Sequence, residues 1–335
     1  MKLGIVLVAA CMAWGQGPAE PAGQTTGRGA QHDTDRVLKA VDDLMWHMKL
    51  GDIAEVDKGV FTSTPRHYVP NKTAPGAMNP MIVYTYVFIP KKLDRTKKHP
   101  LVMYVHGGVH SNFMTGSSSN SAHIVRELVG QGYVVAAPEY RGSTGHGASY
   151  YEAIDYGGRE NDDVLAARAW MVETYPFVDS ARVGIIGWSH GGMISLMNIF
   201  EHPELYTCAY AGVPVSDLVA RLGYKSDAYG RIFSDRSHIG KTVDQDIQEY
   251  LRRSPISHVA KLKTPLLVHS TTNDEDVNVL EVRRLIAALK EAGKTFEYKI
   301  YEDAPGGHHF NRIDTRLARE SRAEIYKFLA RYLKP

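Results

Sequence analysis

Beyond residue 100 the chain alternates short apolar runs with stretches of helical periodicity, and few folds accommodate that alternation. Residues 101–105, 133–138, 182–188, 207–214, 265–271 and 296–301 read as strands. So do residues 81–89, which are rich in β-branched and aromatic side chains and end at Pro90. Helices are expected over 122–131, 161–175, 190–201, 279–292 and 313–332. Such a series calls for a mostly parallel sheet covered by helices on both faces. Val183-Gly184-Ile185-Ile186 and Leu266-Leu267-Val268 are apolar without interruption, as strands buried on both faces must be. Residues 216–263 break the rhythm. They are longer than an ordinary connection, carry helical patches near 243–251, and read as a small helical insert able to form a lid. Upstream, Val37, Leu38, Val41, Leu44, Met45 and Met48 recur at three-to-four spacing, the mark of an amphipathic helix.

Gly187-Trp188-Ser189-His190-Gly191 is a G-x-S-x-G pentapeptide set directly after one of these strands and directly before a helix. There the serine occupies a sharp turn with strained backbone angles. The flanking glycines admit neighbouring backbone, and the helix N-terminus favours developing negative charge. Ser189 is therefore the candidate nucleophile, in preference to a capping serine in a Gly-rich turn. Gly184-Ile185-Ile186-Gly187 lacks the G-x-G-x-x-G spacing of a dinucleotide loop. His106-Gly107-Gly108 follows the strand at 101–105 and is the H-G-G type of loop that supplies an oxyanion-hole amide. Gly107 or Gly108 would give one N–H and His190 the second, while His106 itself is suited to stabilising the loop.

A Ser…Asp…His order places the acid and base further on. Asn273-Asp274-Glu275-Asp276-Val277 follows the strand at 265–271, where an acid lies at the carboxyl end of the sheet. Asp274 is the first choice and Asp276 the second. Gly306-Gly307-His308-His309-Phe310 follows the strand at 296–301. His308 is preferred over His309 because the glycine pair lets the loop turn its ring inward. The 15 histidines raise the question of a metal, but H-E-x-x-H and paired cysteine ligands are both missing from the sequence, so no metal and no cofactor is expected.

Taken together these segments resemble the catalytic domain of the prolyl oligopeptidase family of serine peptidases, from about Met81 to the C-terminus. Tyr140-Arg141-Gly142-Ser143-Thr144-Gly145, Asp162-Asp163, Gly187-Trp188-Ser189-His190-Gly191-Gly192, and Ser254-Pro255-Ile256 ahead of Thr264-Pro265-Leu266-Leu267 carry the likeness. It is strongest to the acylaminoacyl- and dipeptidyl-peptidase branches. The resemblance implies an α/β-hydrolase fold with a mostly parallel eight-stranded sheet, and cleavage of peptide bonds through an acyl-enzyme. It also implies that Tyr224 and Tyr229 lie where the family sets substrate-pocket aromatics, although their spacing fits poorly. Three departures stand out. His190 replaces the family's usual tyrosine, the acid motif is one residue longer, and only about 50 ordered residues precede Met81 where the family has a β-propeller.

Residues 1–15 read as an export signal: Lys2, then the apolar run 3–10, then Ala13-Trp14-Gly15 as a cleavage site. The run is too short to span a bilayer, which takes about 20 residues. Val8-Ala9-Ala10-Cys11 also resembles a lipoprotein box, which would make Cys11 a lipid anchor. Residues 16–32 read as a flexible linker and 33–335 as one catalytic domain. Export places the protein in the periplasm, in the medium or on the cell envelope. Cys208 is the only other cysteine, so loss or acylation of Cys11 leaves no internal disulfide. A net charge of +2 without a basic block argues against nucleic acid as a partner. The leading expectation is a peptidase acting on peptides through Ser189. A carboxylesterase on the same scaffold comes second, and an inactive binding protein third.

Overall fold

The computed structural model describes residues 25–116 and 120–335, with side chains from residue 29. Its eight strands are β1 (Ala54–Ser63), β2 (Met81–Pro90), β3 (His99–Val105), β4 (Val134–Glu139), β5 (Val178–Trp188), β6 (Cys208–Gly212), β7 (Leu266–Thr271) and β8 (Glu297–Tyr301). They form one sheet in the order β1-β2-β4-β3-β5-β6-β7-β8. β1 and β2 pair antiparallel, as do β2 and β4; every later pair is parallel. This is the α/β-hydrolase fold.

Helices α1 (Thr25–Leu50), α2 (Ser121–Gly130), α3 (Ala148–Tyr151), α4 (Glu160–Thr174) and α5 (His190–Glu201) occupy the first part of the chain. The insert contributes α6 (Leu218–Tyr224), α7 (Asp227–Ser234) and α8 (Ile247–Arg252), followed by α9 (Val279–Glu291) and α10 (Arg316–Leu333). Alternation along each strand divides the core. Leu101, Met103, Val183 and Ile185 face α4, α5, α9 and the insert. Val102, Tyr104, Ile186 and Trp188 face α1, α2 and α10. Burial on both sides is what the uninterrupted apolar runs required.

β1 was not anticipated. Glu55, Asp57 and Lys58 interrupt its pattern, as an edge strand permits, and Gly59 removes a further apolar position. That glycine is needed: a Cβ there would lie 2.2 Å from the Trp170 ring.

α1 corrects two expectations. It starts at Thr25, inside the stretch read as a linker, with Gln31 bonded to Asp35 and the His32 ring 5.0 Å from Tyr151. Its apolar stripe also faces outward. The inward face carries Lys39, Asp42, Trp46 and Leu50. Lys39 Nζ donates to the Phe113 carbonyl (2.6 Å) and to Glu139, and Asp42 accepts from the Thr115 N–H and hydroxyl. Lys39 and Glu139 are 2% and 0% exposed, so removing either partner alone would strand a buried charge at about 3–5 kcal/mol.

Candidate active site

Ser189 holds φ 58° and ψ −121°, a left-handed conformation that a serine adopts only under constraint. The constraint is close packing of backbone. A Cβ at Gly187 would meet the Gly191 carbonyl oxygen at 2.1 Å, and one at Gly191 would meet the Val105 and His106 oxygens at 2.3 and 2.5 Å. Both motif glycines are thus dictated by contact. The Ser189 N–H donates to Gly212 O (2.9 Å), tying the turn to the end of β6.

The H-G-G loop lies against this turn. A Cβ at Gly107 would sit 2.8 Å from Trp188 O and 3.2 Å from the Ser189 Cβ, and Gly108 has φ +69°. His106 braces the loop from behind. Its Nε2 is 2.9 Å from the Ser143 hydroxyl and its ring stacks on Tyr140 at 4.1 Å, while the Tyr140 hydroxyl donates to Gly108 O (2.8 Å). Burial pushes the His106 imidazole down to about 3, so it stays neutral. The Tyr140–Gly145 segment is itself clamped by a fork from Arg141 to Asp163 (2.8 and 2.7 Å), with both side chains fully buried. His190 opens α5, where helix geometry leaves backbone N–H groups without a partner in the helix. Its side chain is buried, with Nε2 3.2 Å from Glu160 and the ring 4.7 Å from Tyr156.

Ser189, Asp274 and His308 follow the C-terminal ends of β5, β7 and β8. His308 Nδ1 lies 2.9 Å from each oxygen of Asp274. Asp274 Oδ1 also accepts the N–H groups of Asp276 and Val277, both at 2.8 Å, which fixes the carboxylate. A proton on Nδ1 leaves the Nε2 lone pair free to accept one. The paired glycines earn their place, since Gly306 and Gly307 have φ +92° and +47° and a Cβ on Gly307 would lie 2.1 Å from Glu275 Oε2. Glu275 in turn accepts the His308 N–H at 3.0 Å. His309 has no such carboxylate on its ring; burial pushes it down to about 4.

Asp276 belongs to a different network. It accepts from Lys225 Nζ (2.5 Å) and Arg221 Nη2 (3.1 Å), and stands 3.7 Å from His308 Nε2. Burial works against its charge, but Arg221 and Lys225 outweigh that and hold it at about 2. The hydroxyls of Tyr224 and Tyr229 meet at Arg221 (2.9 and 3.1 Å), and Tyr224 also donates to Glu281 at 2.6 Å. The two tyrosines therefore sit where the insert joins the acid loop. Beside His190 the ring of Tyr156 packs on Phe233, 4.6 Å apart, with Tyr229 behind Phe233 at 5.0 Å.

Asn311 escaped sequence reasoning. It is fully buried; its Oδ1 accepts from the Trp188 indole (2.9 Å) and its Nδ2 donates to the Tyr210 hydroxyl (2.8 Å). It thereby joins the loop bearing His308 to the residue before Ser189. Nothing in the local sequence marks it, because both partners come from distant strands. Among the described residues no group of three or more His, Cys, Asp or Glu is placed to hold a metal, and no helix is long and apolar enough to cross a membrane.

Comparison with known proteins adds to this geometry. A profile described as the prolyl oligopeptidase family matches residues 118–335. The acylamino-acid-releasing enzyme of Arabidopsis thaliana is 28% identical over 311 residues, covering 90% of this chain and 37% of that protein. Human dipeptidyl peptidase 8 is 29% identical over 238 residues, covering 69% of this chain and 25% of its own length. The chain thus spans little more than a third, or less, of these relatives. The solved acylaminoacyl peptidase of Pyrococcus horikoshii superposes with a TM-score of 0.68 at 19% identity, over 84% of this chain and 42% of that one.

Proposed function

The chain belongs to the prolyl oligopeptidase family, and from that membership we propose that it is a serine peptidase working through Ser189. The observation that carries this reading is His308 Nδ1 set 2.9 Å from both oxygens of Asp274, with Ser189 on a strained turn after β5 at the same, carboxyl-terminal edge of the sheet. In the proposed cycle the Ser189 hydroxyl attacks the scissile carbonyl and His308 Nε2 takes its proton. Asp274 holds the ring and stabilises the imidazolium. The oxyanion is received by the His190 N–H and by that of Gly107 or Gly108. His308 then gives its proton to the leaving amine, and water attacks the acyl-enzyme by the same route in reverse.

The relatives' names speak of acylated amino termini and of dipeptides. We extend to this chain only the coarser class, peptides, because it spans a minor part of those proteins. We also propose that residues 1–15 direct export; they lie outside the described residues. The test is a panel of aminoacyl, dipeptidyl and acylaminoacyl p-nitroanilides set beside p-nitrophenyl esters. Anilide turnover is expected. Ester turnover without any anilide turnover would overturn the peptidase reading in favour of an esterase.

A further inference from the structure

Helix α1 turns its most apolar face away from the molecule. Val37, Leu38, Val41, Leu44 and Met48 are 51–76% exposed, on the side opposite the fully buried Trp46 and Leu50. Scattered exposed leucines are ordinary, but a contiguous stripe marks an interaction surface.

The spacing of the stripe says what covers it. Ala30, Thr34, Val37, Val41, Leu44 and Met48 alternate steps of four and three residues, the 3.5-residue repeat of a helix–helix seam. Over these positions the seam runs roughly 27 Å. It is also complementary to itself when reversed. Laid antiparallel on a second copy, with the two-fold axis level with residue 39, Val37 meets Val41. Leu44 meets Thr34 and Met48 meets Ala30, so every large side chain faces a similar or smaller one. Beside the seam, Asp33 falls opposite His47 at both ends, and the small Ala40 falls at the centre. A parallel pairing would set Thr34 against Thr34 and Met48 against Met48, with no charge matched.

We propose that two copies of this chain associate through α1, antiparallel and related by a two-fold axis near Ala40. Such an interface is isologous, each residue meeting its partner twice. The inner face of the same helix reaches the support of the H-G-G loop: Lys39 bonds the Phe113 carbonyl and Glu139, and Glu139 Oε2 lies 3.7 Å from His106 Nε2.

The mass of the full chain in solution tests this, by multi-angle light scattering. Wild type is expected at twice the monomer mass. Leu44→Glu should weaken association on the order of a hundredfold, from one charge set in an apolar seam. The orientation is tested by oxidising Ala40→Cys and Met48→Cys, each with Cys11→Ser. Ala40→Cys should cross-link to its own copy and Met48→Cys should not. Asp33→Lys and His47→Glu should each weaken the dimer, and the double variant should restore it. The stripe is exposed and outside the catalytic groups, so peptidase rates of these variants should match wild type and report an intact fold. A monomeric wild type, a dimer indifferent to Leu44→Glu, or equal cross-linking at both positions would overturn the proposal. So would a monomer whose stripe instead drives flotation with lipid vesicles.

Discussion

The two halves of the candidate site are built by different means. On the nucleophile side, backbone presses on backbone: Gly187, Gly191 and Gly107 each sit where a Cβ would come within 3 Å of a carbonyl oxygen. On the base side, side chains hold side chains. Asp274, Glu275, Asn311 and Arg312 fix His308 and its loop through hydrogen bonds drawn from separate strands and turns. A site made of backbone contacts must declare itself in local residue types. One made of long-range polar contacts need not.

That difference can be tested by perturbing the base side in graded steps. The largest effect is expected from the histidine pair. His308→Ala should lower kcat on the order of 10⁶-fold, as in knockouts of a triad base, whereas His309→Ala should cost less than about tenfold because its ring makes no contact with the acid. Steady-state kinetics on an anilide substrate checks both; equal losses would erase the distinction between the two rings.

Next come the acids. Asp274→Asn should cost about 10⁴-fold in kcat by fixing the wrong histidine tautomer. Asp276→Asn should cost far less, since Asp276 faces Arg221 and Lys225. A reversed order would move the acid's role to Asp276.

Smaller again is Asn311→Ala, which frees the base loop from Trp188 and Tyr210. A displacement of about 1 Å can cost roughly 10²-fold in rate, so kcat should fall while KM stays near wild type. An unchanged kcat would show that the loop is positioned without it.

The smallest effect touches both halves. Burial pushes His106, His238 and His269 down to about 3, 4 and 4. An unfolded imidazole takes up a proton near pH 6.5, while these remain neutral in the folded chain. Their contribution is therefore complete above about pH 6.5 and lost as pH falls toward the folded values. Thermal melts should show Tm dropping between pH 7 and pH 5. A flat Tm over that range would contradict the burial of these rings.

Much of this molecule was legible in the sequence, and the exceptions share a cause. The seven strands from Met81 onward and the longer helices followed from apolar periodicity, and the elbow at Ser189 from its glycines, whereas the short helices α3, α6 and α7 did not. The choices of Asp274 and His308 rested on position in a loop, and the hydrogen bonds that separate them from Asp276 and His309 come from residues far along the chain. β1 hid because an edge strand tolerates Glu55, Asp57 and Lys58. α1 misled for a sharper reason. Its buried face is held by Lys39 and Asp42, whose partners Glu139 and Thr115 lie 100 and 73 residues away, so the apolar stripe was free to face outward. Asn311 had no local signature at all.

Activation of the Ser189 hydroxyl by His308 is the step on which the proposed activity turns. Mapping a fluorophosphonate adduct by mass spectrometry, in wild type and in His308→Ala, decides it. Stoichiometric modification on Ser189 in wild type and almost none in the variant is the expected result. An unmodified Ser189 in folded protein, or equal modification with and without His308, would contradict it.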